Sequence, residues 1–168
     1  MTLMARLSLK ETYSSETFNL LNPAFCGLIL MSTAQAYYRA SGLGMPLSLS
    51  YLALPLVLHE ESRRLIGKQR YFAVWVATNQ ELLVGFSERA SALVPFVSSA
   101  LDFLLREKNI RITKGRLVIL QPIKTSAEPK LSSDDEIVDC VKHADLLGKL
   151  FSKANGDVDI YSALGVKP

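Results

Sequence analysis

Apolar residues are densest between Asn22 and His59, in a run that prolines interrupt. Asn22 followed by Pro23 is typical of a helix start, because the asparagine side chain can accept a hydrogen bond from a first-turn N–H and proline at the first helical position loses none. Apolar side chains then recur at helical spacing. Gly42 predicts the end of this helix, since glycine adopts the left-handed cap conformation without strain.

The segment after Pro46 allows two interpretations. Leu47, Leu49 and Tyr51 alternate with smaller residues as they would in a strand, whereas the initial proline and the leucine and alanine content favour a helix. We predict a helix here. Pro55 is expected to kink that helix or to begin the next one, because proline has no N–H to donate to the preceding turn.

Three amphipathic stretches follow this apolar run. Short helices are predicted at 59–67 and 70–78, with Asn79 as a cap for the helix after them. Residues 80–108 carry the longest apolar stripe at 3.6-residue spacing, which predicts a long helix. Pro95 lies inside that stripe, so a kink or a break is expected next to it.

The pattern then changes from helical to strand-like. Two β-branched runs within 110–120 are separated by a glycine turn, which predicts a β-hairpin. A helix that leads into a hairpin is also the order of elements in a winged-helix domain. After a proline-bearing linker, Ser133 to Glu136 form a capping box, which predicts a last long helix followed by a short one.

These elements predict a mainly α protein with one β-hairpin, described as a winged-helix-like helical domain plus C-terminal helices. The predicted division is a helical core with a polar N-terminal arm over 1–120, a linker over 121–132, and a C-terminal helical segment over 133–168. That segment packs either on the core or on a partner. A length of 168 residues fits one structural unit.

Four blocks of sequence stand out in chain order: NPAFCGLIL, YYRASGLGMPLSLSYLALPLVLH, ELLVGFSERASALVPFVSSAL and DIYSALGVKP. Through these blocks the chain resembles the middle-component proteins of bacterial three-component ABC systems. The resemblance implies a non-catalytic adaptor that links a soluble ABC-type ATPase to a third, effector or adaptor component, in a system that acts against foreign elements. It supplies no catalytic signature and no residue-level role.

Composition narrows the class of protein further. Apolar residues make up 49% and charged residues 21% of the chain, with a net charge of +3, which is typical of a globular protein. The apolar excess fits a homodimer or a heteromeric contact. Neither a membrane span nor a signal peptide is predicted, so we expect a cytoplasmic protein. Cys26 and Cys140 are interpreted as buried thiols rather than a disulfide or a metal site.

The motifs that could carry chemistry are weak. His59-Glu60-Glu61 is the one acid–base cluster, and it lacks the second histidine four residues away that a hydrolytic zinc helix needs. Gly42-Leu43-Gly44 lacks the further residues of a dinucleotide or phosphate loop, so a helix cap is the better interpretation. We therefore predict no catalytic residues, no cofactor and no metal, and a protein that is not an enzyme.

Basic residues are the remaining candidates. Two groups are predicted as contacts with a nucleic acid or a protein partner: Arg63, Arg64, Lys68 and Arg70, and then Arg111, Lys114 and Arg116. The second group lies at the junction of helix and hairpin, where a winged helix contacts phosphates. The alternative function is therefore a winged-helix DNA-binding protein or regulator. A solvated face of an ordinary domain is the alternative interpretation of these groups, and it is the one that we favour.

Overall fold

The computed structural model describes residues 21–123 and 136–167. Nearly all of the predicted N-terminal arm, most of the predicted linker and the serine of the predicted capping box lie outside these residues. In chain order the elements are α1 (Pro23–Ser41), β1 (Met45–Pro46), a 3-10 turn (Leu47–Leu49), α2 (Ser50–Leu58), α3 (Glu60–Leu65), α4 (Phe72–Thr78), a second 3-10 turn (Gln80–Leu83), α5 (Phe86–Arg106), β2 (Ile110–Thr113), β3 (Arg116–Ile119), α6 (Glu136–Phe151) and α7 (Asp157–Ala163).

Helix α1 begins and ends where the sequence predicts. The Asn22 side chain accepts a hydrogen bond from the Phe25 N–H at 2.9 Å, and Pro23 occupies the first turn. Gly42 ends the helix in the left-handed conformation, and its N–H donates to the Tyr38 carbonyl. Most of α1 is buried, and it packs against both α5 and α6. The core is therefore assembled around this helix.

The segment after β1 is helical, as predicted. A 3-10 turn leads into α2, whose side chains are almost all buried. The helix continues through Pro55. The next helix, α3, begins only after His59. Pro55 therefore does not begin a new helix, although it removes one hydrogen bond from α2.

The longest predicted helix is divided at Gly85 and not at Pro95. Gly85 has a φ of 65° and separates the second 3-10 turn from α5, which then runs through Pro95. Pro95 and Ser91 are both exposed, so the carbonyl that loses its helical partner can bond to water. The prediction for Asn79 was also wrong, because its side chain donates to the Trp75 carbonyl and closes α4 instead of capping the next helix.

The predicted hairpin is present, and a third strand joins it. β2 and β3 pair antiparallel across Lys114 and Gly115, whose φ values of 51° and 70° suit a type I′ turn. β1 pairs with β3, so the sheet has the order β1-β3-β2. The described chain is thus mainly helical with a small three-stranded antiparallel sheet. Its likeness to a winged-helix domain stays a prediction.

Helix α6 approaches α1 very closely. A Cβ atom added at Gly148 would overlap the Thr33 carbonyl oxygen and would lie 2.9 Å from the Ala36 Cβ. Only glycine leaves room for two helix backbones at this separation. The buried face of α6 consists of Cys140, Ala144, Leu147, Gly148, Leu150 and Phe151. The C-terminal segment therefore packs on the core in this structure.

Helix α7 is attached to the 3-10 turn that precedes α2. The Tyr161 hydroxyl donates to the Ser48 carbonyl at 2.7 Å, and the Ser48 hydroxyl donates to the Asp157 carboxylate. Burial raises the pKa of Tyr161 to about 12, so its hydroxyl remains a donor at neutral pH. None of the helices described here is long and apolar enough to cross a membrane.

Candidate functional site

Arg63, one of the predicted contact residues, is buried. Its side chain is 5% exposed, and its Nε lies 2.7 Å from the Asp139 carboxylate of α6. Nη2 lies 3.4 Å from the Glu136 carboxylate, and Nη1 donates to the Val57 carbonyl at 2.9 Å. Arg63 therefore binds the start of α6 to the end of α2. Its guanidinium is used within the chain and is not presented to a partner.

The rest of this first basic group lies at the surface. Arg64 pairs with Glu60 one helical turn away, and both side chains are largely exposed. Lys68 and Arg70 are exposed as well, and they form no ion pair with any residue that the structure describes. Two of the four predicted contacts thus remain as accessible, unpaired cations.

The second basic group lies on the hairpin, where the structure brings its three residues together. Arg111 is on β2, Lys114 is in the turn and Arg116 is on β3 opposite Thr113. Arg111 and Lys114 are exposed, whereas Arg116 is half-buried and donates from Nη1 to the Gly44 carbonyl at 2.7 Å. Two exposed cations and one half-buried cation therefore lie together on this hairpin.

The acid–base cluster at His59 serves as a helix cap. Its Nδ1 accepts from the Ser62 N–H at 3.3 Å and lies 2.8 Å from the Ser62 hydroxyl oxygen. A ring nitrogen that accepts a backbone N–H must be unprotonated, so His59 is neutral in this structure. Burial, followed by the positive charge of Arg89, lowers the pKa of His59 below its ordinary 6.5. Its hydrogen bonds therefore stabilise α3.

This cap predicts a pH dependence of stability. Below about pH 6.5 the unfolded chain takes up a proton at His59 that the folded chain resists, so the free energy of unfolding falls as the pH falls. Asparagine also caps helices but does not titrate. We expect the free energy of unfolding, from urea titrations between about pH 7.5 and about pH 5.5, to decrease less in His59→Asn than in the wild type. Equal pH dependence in both proteins would contradict this assignment.

Cys26 and Cys140 are buried free thiols, as predicted. Burial raises the pKa of each thiol to about 12, so neither is a nucleophile at neutral pH. Within residues 21–123 and 136–167, no three histidine, cysteine or acidic side chains come together as a metal site would require.

A groove of about 680 Å³ was not predicted from the sequence. It lies between α5, the 3-10 turn before α2 and the segment after α7, and its walls include Tyr51, Leu52, Ala90, Val94 and Val166. The signal in the sequence is faint: Ser87, Ala90, Ser91 and Val94 are small or medium side chains on one face of α5, but small residues also occur on its other faces. Hydroxyl groups and apolar surface suit this groove for binding.

The chain matches a known protein family. The pattern of the ABC-three component system Middle Component 3 family matches residues 11–168, which is nearly the whole chain. No curated protein and no solved structure matches the chain. A match of this extent confirms the resemblance that the sequence blocks indicated. The chain belongs to the Middle Component 3 family of ABC-three component systems.

Proposed function

We propose that this protein is a non-catalytic coupling subunit that links a soluble ABC-type ATPase to the third component of its system in the cytoplasm. The observation that carries the proposal is the family match over residues 11–168. A middle component has protein partners in its own system. We propose that this protein connects two of them, the ATPase and the third component.

The described residues support this proposal through the roles of their reactive groups. His59 caps α3, Arg63 holds α6 against the core, and both cysteines are buried as neutral thiols. Groups of these types often carry catalysis when they are exposed in a cleft with a shifted pKa. In this chain they stabilise the fold instead. Surfaces that remain available, such as the hairpin and the groove, are suited to contact.

Co-expression tests the proposed function directly. We expect a tagged form of this protein to co-purify with the ATPase and the third component encoded with it, and to change the rate at which that ATPase hydrolyses ATP. The purified protein alone should hydrolyse none. Turnover by the protein alone that His59→Asn abolishes would overturn the proposal, because it would make the protein an enzyme.

DNA binding is the second candidate function, and one observation favours it. Arg111 and Lys114 are exposed on a hairpin that directly follows α5, as the wing of a winged helix would be. In that case duplex binding should weaken with salt, with a log–log slope of about −0.9 for each phosphate contacted. Replacing Lys114 and Arg116 by glutamate should abolish it.

A further inference from the structure

The three-stranded sheet has a second face that points away from the core. Arg111 lies opposite Val118, and Thr113 and Pro46 both lie opposite Arg116. Residues that are directly opposite in an antiparallel pair project from the same face. The alternate residues of β3 and β2, Leu117 and Ile110, are buried against the core. We call the opposite side, formed by Pro46, Arg111, Thr113, Arg116, Val118 and Leu120, the outer face.

The outer face combines apolar and basic side chains. Leu120 is 46% exposed and continues β3, because its N–H donates to the Asn109 carbonyl at 2.8 Å. Val118 is half-buried beside it, and Arg111 is exposed across the strand pair. The apolar side chains lie along β3, with Arg111 across the strand pair and Arg116 further along the same strand. Such a surface can bury apolar side chains of a ligand while it pairs with negative charges around them.

Arg116 is already oriented for such a pair. It is half-buried, and its Nη1 is held by the Gly44 carbonyl at 2.7 Å. Across the described ranges, no carboxylate lies within ion-pair distance of it. Since one nitrogen is held, the side chain loses less conformational freedom when its other N–H groups bind a carboxylate. A half-buried cation without an anion is a favourable place for one to bind.

We infer that the outer face binds an acidic segment of a partner protein that also carries apolar side chains, an inference that rests on the proposed coupling function. The positive charges of Arg111 and Arg116 on the outer face, and of Lys114 in the adjoining turn, favour a ligand that carries acidic residues. Leu120, which is exposed, and Val118, which is half-buried, favour a protein over DNA, because phosphate contacts gain little from apolar side chains in the middle of the surface. A second copy of this chain would place the same positive charges against each other.

The test uses the full-length protein and measures its affinity for the purified ATPase and for the purified third component, each in turn. Arg111→Glu should weaken binding to one of them about tenfold, because it reverses a charge beside the apolar strand. Leu120→Ser should weaken the same complex about tenfold, because it removes the apolar contact. Lys142→Glu is the control, since it also changes a positive charge to a negative one, at an exposed position of α6, and should leave affinity unchanged.

The possible results separate the inference from the proposed function. If the wild type binds a component and Arg111→Glu and Leu120→Ser bind it equally well, the inference is overturned and the coupling function stands. If the wild type binds neither component, both fail. If instead a mixed-sequence DNA duplex binds, with loss of affinity in Arg111→Glu but none in Leu120→Ser, the outer face is a phosphate contact and the inference is wrong. Weakening by both variants, without duplex binding, supports it.

Discussion

Replacing Gly148 by alanine is expected to lower the free energy of unfolding by about 3 kcal/mol. The new Cβ would overlap the Thr33 carbonyl oxygen and would lie 2.9 Å from the Ala36 Cβ, so α6 would have to move away from α1. Both obstacles belong to the body of a buried helix and cannot rotate aside. Alanine favours helix over glycine by about 1 kcal/mol, so helix propensity alone would raise the free energy of unfolding. A decrease therefore indicates that the steric overlap outweighs this gain. Chemical denaturation of the full chain measures it.

Gly27→Ala is the matched control for this change. Gly27 is also inside a buried helix, but an added Cβ there would meet the side chain of Leu104 at 3.2 Å and not a backbone atom. A leucine side chain can shift by a few tenths of an ångström, and the gain in helix propensity offsets the strain. We expect a change of less than about 1 kcal/mol. Equal effects at the two glycines would show that the α1–α6 contact is not the tight one.

Replacing Arg63 by methionine is expected to lower the free energy of unfolding by about 3 kcal/mol. The change removes both carboxylate contacts with α6 and the donor that satisfies the Val57 carbonyl at the end of α2. The Asp139 side chain is 44% exposed and can be hydrated again, which places the effect at the lower end of the range for broken buried pairs. Urea denaturation followed by circular dichroism measures the loss.

The neighbouring residue provides the control. Arg64→Met removes an exposed pair with Glu60, and exposed pairs on a helix contribute little, so a change within about 0.5 kcal/mol is expected. The two variants lose the same charge at adjacent positions of one helix. A large effect from Arg64→Met, or a small one from Arg63→Met, would mean that burial does not separate their roles.

The helices were predictable where capping chemistry marks their ends. Asn22 and Gly42 delimit α1 because the side chain of Asn22 and the backbone N–H of Gly42 satisfy specific terminal groups of the helix, and this chemistry is local. The break at Gly85 was not predicted because the apolar stripe continues across it. The break or kink was expected at Pro95 instead, because proline disrupts helices. β1 was not predicted because a strand of two residues is too short to show an alternating pattern of apolar and polar residues. Its pairing with β3 is decided by tertiary structure.

The surfaces were less predictable than the fold. Arg63 and Arg64 are neighbours with the same charge, and only the position of α6 buries one and exposes the other. The outer face depends on which residues of three separate strands lie opposite one another, which the order of the chain does not state. Sequence patterns therefore identified the basic hairpin but not the apolar side chains that accompany it.

The two buried thiols make this chain a reporter of its own conformational changes. Cys26 lies on α1 and Cys140 on α6, and neither forms thiolate at neutral pH while the helices are packed. A thiol reagent can therefore label Cys140 only during moments when α6 separates from the core, and the labelling rate measures how often that happens. Nucleotide turnover by a bound ATPase that loosened α6 would raise this rate, and turnover that left α6 in place would not.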